Sequence, residues 1–144
     1  MPDPGGIPPR LSGIIETALY VRSLPAARDF YETILGLEAL HADERMCALD
    51  VAGRSVLLLF PIGGALEPVD LPDGRIPPHD ASGQQHIAFA ITADELPRWE
   101  NHLQERGIAI EGRAGWPRGG QSLFFRDPDG HLLEVATPGL WATY

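Results

Sequence analysis

Three polar side chains interrupt apolar strand-like runs in this chain. Glu16 lies in Ile14-Ile15-Glu16-Thr17-Ala18-Leu19-Tyr20-Val21, His86 begins His86-Ile87-Ala88-Phe89-Ala90-Ile91, and Glu134 sits within His131-Leu132-Leu133-Glu134-Val135-Ala136. One imidazole and two carboxylates form a hard, anionic donor set. Such a set suits Mn²⁺, Fe²⁺ or Mg²⁺ in an octahedral shell completed by water, with Zn²⁺ or Ni²⁺ as further options. A substrate could then chelate through adjacent oxygens, with the metal as Lewis acid.

The elements that must position these residues occur twice. After the strand at 14–21, Pro25 to Leu35 reads as a helix. Its apolar stripe falls at 26, 27, 30, 31, 34 and 35, with proline in its first turn and Gly36 at its end. Strands follow at about 37–42, 45–51 and 54–60, the last two joined by a tight turn at Val51-Ala52-Gly53-Arg54. The second copy begins with the strand at 86–91. Thr92 and Glu95 then have capping-box spacing before a helix carrying Leu96, Trp99 and Leu103 and ending at Gly107. Strands are expected at 108–112, 121–126 and 131–136, the last pair joined by Asp127-Pro128-Asp129-Gly130, a strong turn signal. This predicts an α+β domain of two βαβββ modules, at about 12–61 and 84–138. A Pro/Gly/Asp linker or lid at 62–83 separates them, with a flexible tail at 1–11 and a short tail at 139–144.

Strand alternation places the three candidate ligands on the face that the helices do not cover. Ile87, Phe89 and Ile91 turn toward the helix, so His86, Ala88 and Ala90 face away. Leu133 and Val135 likewise send Glu134 and Ala136 to the open face. Ile15, Leu19 and Val21 do the same for Glu16, Ala18 and Tyr20, leaving Thr17 on the core side. The alanines leave room for a ligand, and Tyr20 joins the candidate binding residues. Arg126 could hold an anionic substrate group or neutralise Glu16 or Glu134. Trp116 and Arg118, in a Gly/Pro-rich turn, could form a clamp at the rim or a plain turn. His131 reads as part of the Asp-Pro-Asp-Gly turn, and His41, His79 and His102 as solvated.

Composition narrows the function classes. The chain has 144 residues, 44% of them hydrophobic, which suits one packed domain. Twenty acidic residues against eleven basic ones give a net charge of −9, which disfavours nucleic acid and anionic membranes as partners. The Pro/Gly-rich start lacks the pattern of a signal peptide, and no apolar run spans a bilayer, so a cytoplasmic setting is expected. The single cysteine, Cys47, cannot form an intramolecular disulfide and has no activating neighbour in sequence.

Two segments carry a resemblance to a known family: Phe30-Tyr31-x-x-x-Leu35-Gly36-Leu37, and Ser122-x-x-Phe125-x-Asp127-Pro128-Asp129-Gly130-His131-x-x-Glu134. Over residues 12–138 the chain resembles the vicinal oxygen chelate superfamily, which includes glyoxalase I, fosfomycin-resistance enzymes, bleomycin-binding proteins and extradiol dioxygenases. The resemblance implies paired modules curling into an open cup-like barrel around a divalent metal, with a second chain completing each site in a homodimer. Carried over, the metal ligands are Glu16, His86 and Glu134. Leu57, 77 residues before Glu134, stands at a fourth position where glyoxalase I-like members have a ligand. Leucine cannot bind metal, so the implied site has three protein ligands. Glu16 replaces the usual histidine. Ser122 and Thr17 match positions that contact substrate in fosfomycin-resistance relatives.

The reading that results is a metal-dependent lyase or transferase, of the glyoxalase or fosfomycin-resistance type, acting on a small oxygenated substrate. A ring-cleaving dioxygenase is the first alternative, opposed by glutamate in place of histidine at position 16. A metal-free antibiotic-binding protein is the second, opposed by the presence of three ligand-type residues. The basic tail of fosfomycin-resistance relatives is not recognisable in Pro138 to Tyr144. General base and substrate are left open.

Overall fold

A computed structural model describes residues 5–144 of the chain, so the first four residues of the expected N-terminal tail lie outside the described residues. The element order is β1 (Glu16–Val21), α1 (Leu24–Thr33), β2 (Glu38–Ala42), β3 (Cys47–Val51) and β4 (Ser55–Pro61), then a small hairpin, β5 (Val69–Leu71) and β6 (Gly74–Ile76). The second half runs β7 (His86–Ala90), α2 (Leu96–Glu105), β8 (Gly112–Gly115), β9 (Gln121–Arg126) and β10 (Leu132–Ala136).

The duplication holds at the level of strand pairing. One sheet has the order β1-β4-β3-β2 and the other β7-β10-β9-β8, each with a parallel pair at one edge and antiparallel pairs beyond it. The expected cup is not closed by strand pairing within one chain, because the two four-stranded sheets are separate ladders.

Alpha1 starts where Ser23 accepts a hydrogen bond from the Ala26 N–H through its hydroxyl, with Pro25 in the first turn. Its apolar stripe buries Ala27, Phe30, Tyr31 and Ile34. These pack in one cluster with Leu19, Val21, Leu49, Leu57 and Leu59 of the first sheet and Leu103, Leu123, Phe125, Leu133 and Val135 of the second module. Each such fully buried side chain stabilises the fold by about 1.5–3 kcal/mol, so the shared core is the main force joining the modules.

Polar bonds fix how the modules meet. The buried Tyr31 hydroxyl donates to Asp127 Oδ2 at 2.7 Å, while Asp127 Oδ1 accepts from the Asp129 and His131 N–H groups and so closes the turn. His131, 1% exposed, donates from Nε2 to the Tyr20 carbonyl and accepts from the Gln85 N–H at Nδ1. Gln85 Oε1 accepts the Tyr20 N–H, and Arg22 reaches Asp129 and the Pro128 carbonyl. His102 bonds the Ile34 carbonyl, tying the end of α2 to that of α1. His102 is therefore engaged rather than merely solvated, as is His79, whose Nδ1 lies 2.5 Å from the Tyr20 hydroxyl.

Several expectations need correction. Beta1 begins at Glu16, and Ile14 and Ile15, each 76% exposed, precede the ladder instead of entering the core. Thr92 makes no side-chain cap; the chain enters α2 through a 3₁₀ turn at Ala93–Glu95, in which the Glu95 N–H bonds the Thr92 carbonyl. The strand expected at 108–112 forms at Gly112–Gly115, where it can pair with β9; Ile108 and Ile110 pack on the core from a non-strand segment.

The 62–83 segment is not structureless. It contains the β5–β6 hairpin, is closed on itself by Asp80 accepting the Gly63 N–H and by the His79 N–H bonding the Ala65 carbonyl, and meets module 1 where His79 packs on Tyr20 and Phe60. The turn at 51–54 forms with φ of +55° at Ala52 and +66° at Gly53. That left-handed pair suits the tight turn that joins β3 to β4, where Val51 pairs with Ser55, at some steric cost to alanine.

Candidate metal centre

His86 opens β7, and its neighbour across the parallel ladder is Leu132 of β10. Its ring Nδ1 lies 2.8 Å from the Leu132 carbonyl oxygen. A carbonyl only accepts, so Nδ1 carries the proton and the neutral ring presents its lone pair at Nε2. This backbone anchor is the arrangement that commonly fixes the tautomer of a metal-ligating histidine.

Two residues along β10, Glu134 sends its carboxylate to the same place. Its Oε1 is 3.3 Å from His86 Nε2, with the His86 side chain half-exposed and Glu134 only 6% exposed. The other oxygen, Oε2, accepts a 2.5 Å hydrogen bond from the Ser122 hydroxyl, and that hydroxyl accepts from Trp116 Nε1–H at 2.8 Å. The β9–β10 register sets this up by pairing Ser122 with Ala136, two pairs along from Phe124 opposite Glu134 and so on the same face.

A neutral imidazole Nε2 facing a carboxylate oxygen brings two lone pairs together, and a buried carboxylate is costly without a cation. A proton on Nε2 or a metal ion resolves this. Two ligand atoms held at right angles around an octahedral ion, each about 2.1 Å from it, stand about 3 Å apart. The observed separation fits, as does the donor chemistry.

Glu16 is not part of this group. It is exposed at the start of β1, opposite Val56 of β4. The end of β1 that meets module 2 is at Tyr20, four residues away, or about 13 Å of extended strand. Among the described residues, no three His, Cys, Asp or Glu side chains gather to hold a metal. Two expected ligands are thus brought together, and the third stands apart.

The fourth position moves by one residue. Strand pairing sets Glu16 against Val56 and His86 against Leu132, so Glu134 corresponds to Leu58, not Leu57. Leu57 is 1% exposed in the core, as Leu133 is in the second module. Leucine occupies the place in either register, and no ligand is gained.

The expected substrate-binding residues fall out differently. Ser122, 2% exposed, uses its proton on Glu134 and accepts from Trp116, so both residues back the carboxylate rather than line a rim. Arg126 neutralises neither Glu16 nor Glu134: its guanidinium pairs with both Glu111 oxygens, at 2.7 and 2.9 Å, and with the Gly130 carbonyl. That pairing holds the Glu111 carboxyl below its ordinary pKa. Arg118 is exposed in the β8–β9 loop, and Thr17 is exposed near the start of β1. The Tyr20 hydroxyl lies 2.5 Å from His79 Nδ1, and both rings pack on Phe60. Burial, with Asp80 nearby, raises the Tyr20 pKa.

Sequence reasoning missed the C-terminal residues. Tyr144 donates from its hydroxyl to the Ala136 carbonyl at 2.9 Å, bringing Leu140 and Trp141 over the open face beside Ala88, Ala90 and Ala136. The available clues were the aromatic pair in a supposed tail and the glycines at 120 and 139 that let it approach.

The fold is shared with known proteins. Residues 13–135 match the Glyoxalase/Bleomycin resistance protein/Dioxygenase superfamily. Metallothiol transferase FosB of Bacillus licheniformis is 31% identical over 129 residues, covering 89% of this chain and 77% of that protein. Biphenyl-2,3-diol 1,2-dioxygenase 3 of Rhodococcus globerulus is 33% identical over 133 residues, which cover 90% of this chain and 63% of that enzyme. The crystal structure of lactoylglutathione lyase from Agrobacterium tumefaciens superposes with a TM-score of 0.83 at 34% identity, covering 92% of this chain and 98% of that one.

Proposed function

Because the chain belongs to the glyoxalase/bleomycin resistance protein/dioxygenase superfamily, we propose that it is a divalent-metal-dependent enzyme of the lyase or transferase type. Its substrate is a small molecule with adjacent oxygens. The observation that carries this reading is the His86–Glu134 pair, with Nε2 and Oε1 3.3 Å apart and Nδ1 tied to the Leu132 carbonyl. The similarity to metallothiol transferases and to a lactoylglutathione lyase supports the reaction class.

In this proposal His86 Nε2 and Glu134 Oε1 hold Mn²⁺, Fe²⁺ or Mg²⁺, and Glu16 of a second copy is the third protein ligand. A bound divalent ion supplies Lewis acidity toward substrate oxygens. The protein does the positioning. Leu132 aims the imidazole, and Ser122 with Trp116 fixes the carboxylate. Leu58, in place of a fourth ligand, leaves that side open to substrate. The second copy is suggested by the apolar arm before β1, where Ile7, Leu11, Ile14 and Ile15 are 96%, 95%, 76% and 76% exposed. Exposed apolar side chains gathered in one short segment are characteristic of an interface.

The test is metal analysis of protein purified without chelator or nickel resin. Wild type is expected to hold about one ion per chain, the stoichiometry of a single closed site. His86→Ala and Glu134→Gln are expected to lose it while keeping the wild-type circular dichroism spectrum. A wild-type protein that takes up none of the three ions on equilibration would replace this reading with that of a metal-free binding protein.

A further inference from the structure

We propose that the cleft between the Ala88–Ala90 stretch of β7 and the C-terminal Leu140–Tyr144 segment binds an uncharged, planar, ring-sized group of the substrate. The inference rests on the proposed metal site only in placing the substrate's oxygens at the His86 end. The cleft has a volume of about 290 Å³, and its lining includes Ala88, Ala90, Ala136, Leu140, Trp141 and Tyr144. A dry apolar cavity of about 150 Å³ already admits benzene, so one ring with substituents, or two fused rings, fits.

The floor is continuous with the metal centre. Ala88 is the next residue on the His86 face of β7, about 7 Å along the strand, and it pairs with Glu134. Ala90 and Ala136 pair with each other one step further on. Methyl side chains at all three places leave the backbone close to any occupant, so a flat group can lie along the sheet with one edge toward His86.

The wall is built rather than loose. The Gly139, Leu140 and Trp141 N–H groups converge on one main-chain carboxylate oxygen of Tyr144 at 2.8, 3.0 and 3.2 Å. The Tyr144 hydroxyl is occupied by the Ala136 and Ile91 carbonyls. The Gly120 N–H bonds the Gly139 carbonyl, an approach so close that a Cβ at Gly120 would lie 2.6 Å from the Gly139 carbonyl carbon. On this rigid turn the Trp141 indole remains 69% exposed. An exposed indole carried on a fixed backbone beside an apolar floor favours stacking with a flat ring.

Charge selects against the other ligand class. No cationic side chain lines the cleft. Arg126, the expected anion holder, is committed to Glu111, and Arg118 is not among the lining residues. A carboxylate or phosphate would enter without a partner, which burial penalises.

The experiment titrates chelator-treated protein with 2-naphthol by calorimetry. Saturable binding is expected in wild type, at least tenfold weaker in Ala90→Leu, which fills the floor, and in Trp141→Ala, which removes the wall. Because the titration is run on metal-free protein, failure of the metal reading leaves this result intact. Absence of saturable binding in wild type, or binding indifferent to Ala90→Leu, overturns the proposal. So does an Ala90→Leu protein whose molecular mass in solution differs from wild type, because the cleft would then be filled by a second copy of the chain.

Discussion

The Ser122 hydroxyl stands between Trp116 and Glu134, donating to Glu134 Oε2 at 2.5 Å while accepting from the indole N–H at 2.8 Å. With donor and acceptor both used inside the protein, Ser122 orients the carboxylate and leaves Oε1 for the ligand position. Removing such an orienting partner of a metal ligand weakens metal binding about 10–100-fold. Ser122→Ala is therefore expected to lower Mn²⁺ affinity by that factor in an equilibrium titration, with Trp116→Phe causing a smaller loss. Unchanged affinity in Ser122→Ala would mean that the carboxylate needs no such support.

The separation of Glu16 from the His86–Glu134 pair gives a sharper test of the two-copy site. Glu16→Gln and Glu134→Gln proteins are each expected to be metal-poor. Mixed in equal amounts and allowed to re-pair at random, they would form hybrids with one intact site each, restoring about a quarter of all sites if the twofold dimer exchanges ligands. No recovery of bound metal after proven subunit exchange removes Glu16 from the ligand set. Ile14→Asp with Ile15→Asp is expected to shift the sedimentation of the protein toward monomer and to reduce metal content in parallel.

Tyr31 makes stability fall at alkaline pH. Burial, with the Asp127 carboxylate beside it, raises the hydroxyl's pKa well above the ordinary tyrosine value. Above about pH 10 the unfolded chain loses this proton while the folded chain keeps it. Folding then binds a proton, so this contribution is complete below pH 10 and shrinks by about 1.4 kcal/mol per pH unit above it. Tyr31→Phe is expected to flatten that part of the denaturation profile. At neutral pH it would cost about 1–3 kcal/mol, because Asp127 Oδ2 loses its partner. Urea unfolding at a series of pH values separates the two effects.

Gly120→Ala tests how the C-terminal segment is held. The added methyl would meet the Gly139 backbone, not a yielding side chain. A loss of about 1–3 kcal/mol is expected from overpacking. Trp141 is expected to become more accessible to a soluble fluorescence quencher. An unaltered quenching constant would show that the tail tolerates the methyl group in place.

Periodicity and turn chemistry made much of the fold legible. The duplicated modules, α1 with its buried stripe, the Asp-Pro-Asp-Gly turn and the open-face placement of His86 and Glu134 follow from local rules, because strand alternation and helix spacing are properties of neighbouring residues. Register is not local. The 77-residue offset picks Leu57 from sequence, and only the pairing of Val56 with Glu16 and of Leu132 with His86 moves the position to Leu58. The strand placed at 108–112 failed for the same reason, since its position depends on where β9 offers partners.

The sequence by itself determined which residue types could hold a metal and which face of each strand they occupy. Tertiary structure decided which of them meet. His86 and Glu134 come together because β7 and β10 are hydrogen-bonded neighbours, whereas Glu16 lies in a separate sheet. It also assigned the partners that spacing cannot reveal: Ser122 to Glu134, Arg126 to Glu111, His131 to Tyr20, and Tyr144 to the end of β10. Side-chain chemistry is written residue by residue, but the distance between two side chains remote in sequence is set by sheet pairing and core packing, which belong to the whole chain.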